Sequence, residues 1–299
     1  MTSRILYYGL ILPLSILPMW MLYAVSNFIF YILYFIVGYR KKVVGDNLKR
    51  SFPAKSGKEL ETLRRKFYRH FCDIIVESLK TFTISEKLAN KKMVHHNTDL
   101  FQQLHDKQKN IAIVGGHYNN WELYATTIDQ QLKHKAIALF TPLSNAYFNG
   151  KMKTTRSKFG LQMLSILDIK KELDLTGDNY SAIIFGADQS PKNPNRAYWL
   201  TFLGQDTGVQ FGCEKLASDY NMAVVYGGIS KTKRGHYEVN YELICEDASQ
   251  TAYGFVTEQH TKLLERDIIA SPAYWLWTHR RWKREKPANH INQKPKKEA

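Results

Sequence analysis

Cysteine is scarce in this chain, with three residues among 299. Cys72, Cys213 and Cys245 are far apart in the sequence and form no Cys-x-x-Cys pair and no Cys/His cluster. A disulfide framework and a structural zinc site both need such groupings, so the spacing argues against both. The simplest expectation is a reducing, cytoplasmic setting.

Acidic residues are also few, because 27 Asp and Glu face 42 Lys and Arg, and the formal net charge is +15. Such a surface favours an anionic partner: nucleic acid, anionic lipid headgroups or an acidic protein. With 44% hydrophobic and 23% charged residues, the composition excludes disordered, collagen-like and repeat-array classes. It suits one globular domain with an appendage.

Charge is absent from one long stretch near the N-terminus, between Arg4 and Arg40. Within it, residues 19–37 are almost wholly apolar and about meet the roughly 20 residues that a membrane-spanning helix needs. A basic cluster follows at 40–42. By the positive-inside rule, this cluster predicts that the bulk of the chain lies in the cytoplasm.

Two other interpretations of this apolar stretch compete with a membrane anchor. A signal peptide is disfavoured, since the stretch is longer than an h-region and is followed by basic residues. A buried core helix is usually shorter and carries some polar residues. Pro13 and Pro18 leave open a broken or surface-lying first segment. We expect a membrane anchor over residues 1–42 and a cytoplasmic domain over 43–299, ending in a basic tail.

The body of the chain alternates between two hydrophobic periodicities. Short apolar runs predict strands, helical spacing predicts helices, and a capping-box sequence at Ser56 to Glu59 marks one helix start. The predicted strands are 110–114, 135–140, 180–185, 222–229 and 237–244, and the predicted helices are 57–80, 121–130, 144–158, 209–220 and 250–269. This alternation predicts an α/β fold with a largely parallel mixed sheet flanked by helices. Ligand sites in such sheets form at the carboxyl ends of strands.

The first polar strand end follows the run at 110–114, where two glycines precede His117 and Glu122 comes five residues later. On one helix the two side chains would be about 140° apart. If His117 lies in a loop and the helix begins near Asn119 or Asn120, Glu122 can reach the imidazole. The pair then predicts a general base, His117, oriented by a carboxylate.

A structural interpretation of the same residues stays open. With Asn119 as the N-cap, Glu122 has the spacing of a capping box and serves only to close the helix end. The second polar strand end, at Asp188, also has two interpretations. Asp188 either positions a substrate hydroxyl or another side chain, or it forms an Asx turn before Pro191.

Residues 117–122, His-Tyr-Asn-Asn-Trp-Glu, resemble the H-x4-D/E motif of the glycerolipid acyltransferase superfamily. They are more closely similar to the H-x-G-N-W-E form of the late acyltransferases of lipid A biosynthesis, the lauroyl and myristoyl transferase family. The resemblance covers nearly the whole chain, through 44–53, Arg156 with Gly160, 187–189, 202–204 and 277–283. Asn119 stands where the family often has Gly, and Asn also tolerates left-handed backbone.

The resemblance implies acyl transfer from an acyl thioester, on acyl carrier protein or coenzyme A, to a hydroxyl of a lipid A-type precursor. The reaction would take place at the cytoplasmic side of the bacterial inner membrane, with an anionic membrane surface as partner and with no cofactor and no metal. His117 would deprotonate the acceptor hydroxyl and Glu122 would orient His117. Arg156 would bind a substrate phosphate or carboxylate, and Asp188 and Gln189 would line the acceptor pocket.

Alternatives remain at three levels. Arg156 is equally interpreted as a solvated helix charge, and the aromatic and cationic segment 274–282 as a membrane-interface segment or as core. The acceptor is alternatively a lysophospholipid or an amino-acid-containing lipid. A non-catalytic, basic, membrane-tethered binding module is the other class, although the sequence contains no nucleic-acid motif and this class leaves the apolar anchor unexplained.

Overall fold

The computed structural model describes residues 2–175, 177 and 179–293. Two apolar helical segments lie at its N-terminus. The first segment is continuous through α1 (Thr2–Leu6), a π-helical stretch (Tyr7–Ile11) and α2 (Leu12–Ile16). The helix is interrupted at Pro18. The next helix, α3 (Met19–Tyr31), continues into a second π-helical stretch (Ile32–Ile36). Among the described residues, one helix, Met19–Ile36, is apolar and long enough to cross a membrane. The end of the predicted basic tail, 294–299, lies outside the described residues.

Two helices lead from the N-terminal segments to the sheet: α4 (Lys41–Ser51) and the 25-residue α5 (Gly57–Thr81). The predicted capping box at the start of α5 is present. The Ser56 hydroxyl accepts from the backbone N–H of Glu59, and the Glu59 carboxylate accepts from the backbone N–H of Ser56 at 2.8 Å. The predicted helix 57–80 is thus confirmed with its N-terminal signal.

The described part of the chain contains a seven-stranded sheet in the order β1-β9-β8-β2-β5-β3-β4. Its strands are β1 (Met93–His96), β2 (Ile111–Gly115), β3 (Lys135–Phe140), β4 (Gln162–Ser165), β5 (Ser181–Gly186), β8 (Ala223–Lys233) and β9 (His236–Cys245). Strand β8 pairs antiparallel with β9, and the other neighbours pair in parallel. The predicted α/β fold with a mostly parallel mixed sheet is confirmed, and all five predicted strands are present.

A separate hairpin of β6 (Tyr198–Phe202) and β7 (Gln205–Val209) was not predicted. Its two-residue turn consists of Leu203 and Gly204, both with positive φ. Such a turn normally carries Asn or Gly at its first position, so Leu203 hides the hairpin from the sequence pattern. Because Val209 ends β7, the helix predicted from 209 begins only at Gly212.

The remaining helices cover the two faces of the sheet. They are α6 (Glu86–Lys92), α7 (Asp99–Asp106), α8 (Trp121–Ala125), α9 (Ala146–Arg156), α10 (Ile169–Glu172), α11 (Gly212–Asp219) and α12 (Phe255–Ala270). Alternate residues of β2 enter opposite cores: Ile111 and Ile113 pack in one cluster, and Ala112 and Val114 in the other. With both faces covered, the central strands hold the loops that follow them on a rigid base.

The aromatic segment near the C-terminus packs in the core. Trp275 is 2% exposed and Trp277 is 0% exposed, and their rings meet edge to face at 4.7 Å. The indole N–H of Trp277 donates to the carbonyl of Pro272 at 2.6 Å. The membrane-interface interpretation of these two tryptophans is therefore wrong, and the core interpretation is confirmed.

Candidate active site

The loops that carry His117 and Asp188 leave the sheet side by side. Strands β2 and β5 are parallel neighbours, with Gly115 opposite Gly186 in the register. One more backbone hydrogen bond, from the N–H of Ala187 to the carbonyl of Gly115 at 3.0 Å, continues the pairing past the strand ends. The carboxyl ends of these two strands thus deliver both side chains to one place, where α/β sheets bind ligands.

Two glycines at these strand ends permit close packing, and one of them, Gly186, makes room for the histidine ring. A Cβ atom on Gly116 would lie 2.8 Å from the Leu264 side chain, and one on Gly186 would lie 3.2 Å from Cε1 of His117. The ring of His117 therefore rests directly over the backbone of β5. A larger residue at Gly186 would push the ring away from this position.

Asp188 holds His117 in one orientation. Oδ1 of Asp188 lies 2.6 Å from Nδ1 of His117, and Oδ2 accepts from the backbone N–H of the same histidine at 2.8 Å. The indole N–H of Trp275 donates to Oδ2 at 2.8 Å. Since a carboxylate only accepts, neutral His117 carries its proton on Nδ1, and Nε2 has the free lone pair.

The two groups shift each other's pKa in opposite directions. Burial lowers the pKa of His117, but the negative charge of Asp188 and the hydrogen bond to it outweigh burial, so the pKa is raised above 6.5. Burial raises the pKa of Asp188, but the charge of His117 and the donated hydrogen bonds hold the carboxyl well below its usual range. Asp188 is therefore ionised at neutral pH and stabilises protonated His117.

The His117 side chain is 24% exposed, and Nε2 is the ring nitrogen that Asp188 does not bind. The amide nitrogen of Gln189 lies 3.3 Å from Nε2. The ring of Trp121 meets the imidazole edge to face at 5.2 Å. A hydroxyl that approached Nε2 would thus come between a polar amide and an aromatic wall.

Glu122 does not hold His117 in the structure, and this corrects the predicted contact. Its two carboxylate oxygens accept from Nε and Nη2 of Arg156 at 2.9 and 2.6 Å. The carboxylate on the imidazole is that of Asp188, which the sequence predicted to position a substrate hydroxyl or another side chain and which the resemblance assigned to the acceptor pocket. The physical reason is the register of β2 with β5. This register brings Asp188 into contact with the ring, whereas the start of α8 directs Glu122 to Arg156.

The capping-box interpretation of Glu122 is also wrong. Asn120 is the N-cap of α8, and its side-chain oxygen accepts from the backbone N–H of Leu123 at 2.8 Å. Glu122 is consequently the second residue of the helix, one position short of a capping box. Asn119 precedes the cap with φ at 56°, the left-handed backbone that Asn tolerates.

Arg156, at the end of α9, is held by its bidentate contact with Glu122. Its side chain is 23% exposed, so the interpretation as a solvated helix charge is wrong. The Glu122 charge raises the pKa of His117 and the Arg156 charge lowers it, after the larger effects of burial and Asp188. The pair therefore lies within electrostatic range of the imidazole, and its predicted role in binding substrate stays a prediction.

Two contributions from the C-terminal segment were missed. Trp275 donates to Asp188, and Nε2 of His279 accepts from the backbone N–H of Ser190 at 2.9 Å. Burial lowers the pKa of His279 to about 4, which leaves this ring neutral and able to accept. The aromatic and cationic pattern at 277–283 marked the segment, but nothing in the pattern pointed to the loop after β5.

A comparison with protein families identifies the class of this site. The family described as bacterial lipid A biosynthesis acyltransferase matches residues 1–284. The protein is therefore an acyltransferase, with a carboxylate-held histidine where two parallel strands end. The chain belongs to the bacterial lipid A biosynthesis acyltransferase family, which confirms the resemblance seen in the sequence.

Two curated relatives agree with this assignment at low identity. The chain is similar to the lipid A biosynthesis palmitoleoyltransferase of Escherichia coli (strain K12), with 20% identity over 256 residues. The alignment covers 82% of this chain and 79% of that protein. The lipid A biosynthesis acyltransferase of Shigella flexneri matches with the same identity and coverage.

Proposed function

We propose that the protein moves a fatty acyl chain from acyl carrier protein to a hydroxyl of a lipid A-type precursor, at the cytoplasmic face of the bacterial inner membrane. One observation carries the chemistry: Asp188 binds Nδ1 of His117, which leaves Nε2 as the basic nitrogen on a side chain that is 24% exposed. The family supplies the substrate class. A histidine near neutral pKa is suited to remove a proton from a hydroxyl.

The transfer is a single acyl exchange. Nε2 of His117 takes the proton of the acceptor hydroxyl as its oxygen attacks the thioester carbonyl. The C–S bond then breaks, an ester forms, and the thiolate of the carrier takes the proton from Nε2. Asp188 stabilises the positive imidazolium between these steps. These reaction steps require no covalent acyl-enzyme intermediate.

The other site residues act on position. We propose that Gln189, beside Nε2, orients the acceptor hydroxyl. Arg156 keeps a fixed positive charge near the imidazole for a phosphate or carboxylate of the substrate, and Glu122 holds Arg156 there. In this scheme Asp188 has the orienting role that the sequence analysis predicted for Glu122.

The charge of the chain supports the proposed partners. A net charge of +15 complements an acidic carrier protein and anionic lipid headgroups. The apolar N-terminal helices supply the attachment to the membrane where the acceptor lies.

Lipid mass spectrometry on cells that lack this protein tests the function. We expect lipid A species to lose the mass of one acyl chain, and expression of the wild-type protein to restore it. Loss of acyl mass from phospholipids or amino-acid-containing lipids, with lipid A unchanged, would contradict the proposed acceptor. With purified protein, turnover of acyl carrier protein thioesters but not of coenzyme A thioesters would support the proposed donor.

We expect the acid limb of the pH profile to report His117. Protonated His117 cannot accept a proton, so kcat/KM should rise with pH through an apparent pKa above 6.5, the direction in which Asp188 shifts it. In Asp188→Asn, the raising effect of the Asp188 charge is lost while burial still lowers the pKa of His117, so the limb should move to lower pH. Profiles of purified wild-type protein and this variant check the shift, and an unmoved limb would contradict the pairing.

A further inference from the structure

We infer that the N-terminal helices lie in the plane of the membrane, in the cytoplasmic leaflet, and do not span the bilayer. The inference refines the membrane attachment in the proposed function. It revises the expectation of a transmembrane helix, and it depends on what covers each face of these helices.

Helix α3 and its π-helical extension expose one face. Trp20, Phe28, Tyr31 and Phe35 are 72%, 66%, 58% and 52% exposed, at spacings that place them on one side of the helix. On the opposite side, Leu22, Ser26 and Tyr34 are at most 1% exposed. The exposed face is largely aromatic, and the covered face carries the hydroxyls that bind α5.

The covered face is bound to charged groups of α5 along its length. The hydroxyl of Tyr23 donates to Glu77 at 2.9 Å, and that of Ser26 donates to Asp73 at 2.7 Å. Further along, the Tyr34 hydroxyl bonds to a third carboxylate of the same helix, Glu61. From residue 23 to residue 34 these contacts follow about 16 Å of helix, so α3 does not separate from α5 without breaking all of them.

Exposed arginines flank the same helix. The guanidinium of Arg234, 41% exposed, lies 4.2 Å from the ring centre of Tyr23. Arg65, 55% exposed, lies 5.9 Å from the ring centre of Tyr34, and exposed Arg69 lies over Phe30 at 5.3 Å. If α3 spanned the bilayer, these charges would enter the hydrocarbon, which is costly. Arg234 and Arg65 are ion-paired with Asp73 and Glu61. With helices in the membrane plane, these ion pairs and Arg69 stay at the level of the headgroups instead.

The first apolar segment is bound to the protein in the same manner. Lys80, in the last turn of α5, donates to the carbonyls of Ser15 and Leu17 at 3.0 Å each. Lys151 of α9 lies 4.5 Å from the ring centre of Tyr7. The outward residues are again apolar: Ile5, Leu10 and Ile16 are 63%, 51% and 65% exposed. Both segments thus keep one face on the protein and offer the other to lipid.

This placement brings the membrane beside the active site. Helix α9, against which the first segment packs, ends at Arg156, the partner of Glu122. Glu77, which accepts from Tyr23, also accepts from Asn120, the N-cap of α8, at 2.7 Å. An acceptor lipid therefore reaches His117 from the leaflet in which the helices lie, without leaving the membrane.

Depth measurements on spin-labelled protein test the inference. In a full-length chain with Cys72, Cys213 and Cys245 replaced by alanine, single cysteines for nitroxide labels are placed by Trp20→Cys, Phe28→Cys and Phe35→Cys. The labelled protein is bound to vesicles of phosphatidylethanolamine and phosphatidylglycerol. Lys215→Cys, at a 65% exposed position on α11, serves as the aqueous control.

We expect the three apolar positions to report a similar, shallow depth and the control to report water. A helix that spans would place the label at position 28 near the midplane and those at 20 and 35 near opposite surfaces, about 22 Å apart. That pattern would overturn the inference but leave the lipid mass spectrometry result unaffected. Labels in water at all three positions would overturn it as well. If the labels are shallow but lipid A is unchanged in cells that lack the protein, the result would count against the proposed function alone.

Discussion

Replacing His117 by alanine is expected to lower kcat for acyl transfer by about 10²- to 10⁴-fold, the usual contribution of a positioned general base. The reason is that Asp188 binds Nδ1 of His117 and so leaves Nε2 as the nitrogen that can take the proton of the acceptor hydroxyl. Substrate binding should change much less than turnover. A steady-state assay with acyl carrier protein thioester and purified lipid precursor measures both.

His236→Ala is the matched control, because it also removes an imidazole but from a residue with no part in the proposed reaction. His236 lies on β9, and its Nδ1 is within hydrogen-bonding distance of the carbonyl of Arg234. It should retain wild-type turnover. Asp188→Asn should also lose a large part of the rate, since an uncharged amide no longer stabilises the imidazolium and favours the wrong tautomer. Thermal melts establish that each variant is folded. Full activity of folded His117→Ala would refute the general-base mechanism and favour a binding module.

Breaking the Glu122–Arg156 pair is expected to destabilise the folded protein. Arg156→Met leaves a carboxylate that is only 11% exposed without its partner. A fully buried pair costs several kcal/mol to break, and partial exposure reduces this to about 2 kcal/mol. Denaturant unfolding of the purified variant in detergent measures the loss.

The double variant Glu122→Gln with Arg156→Met separates charge from shape. Removing both charges should restore part of the free energy of unfolding that Arg156→Met loses, because no unpaired charge remains. Additive losses in the two single variants and the double variant would contradict a direct pair. Glu122→Gln alone should lower kcat less than Asp188→Asn does, since Glu122 acts on the imidazole only through space.

The two strand ends that carry His117 and Asp188 were predictable from the sequence, but the contact between these residues was not. The apolar runs before His117 and Asp188 were clear, and both residues were predicted where buried strands deliver polar groups. Their direct contact was not, because the two residues are 71 positions apart and meet only if β2 and β5 are neighbours. Strand order depends on tertiary packing, which hydrophobic periodicity does not encode.

Local spacing gave the wrong partner for the histidine for a related reason. Glu122 is near His117 in sequence, and a loop followed by a helix start brought them within plausible reach. The left-handed turn at Asn119 and the cap at Asn120 set the direction of α8, and α9 then offers Arg156 to its first turn. A contact between two helices that are far apart in sequence has no signature in either one alone.

The bond from Trp275 to Asp188 has a consequence for the order of biosynthesis. The chain emerges from the ribosome N-terminus first, so the apolar helices are available to the membrane long before residue 275 is synthesised. Until that indole arrives, Asp188 lacks one of its three donated hydrogen bonds and the loop after β5 lacks its cover. The hydrogen-bonded group of His117, Asp188 and Trp275 is therefore completed only near the end of synthesis, well after the apolar N-terminal segments have left the ribosome.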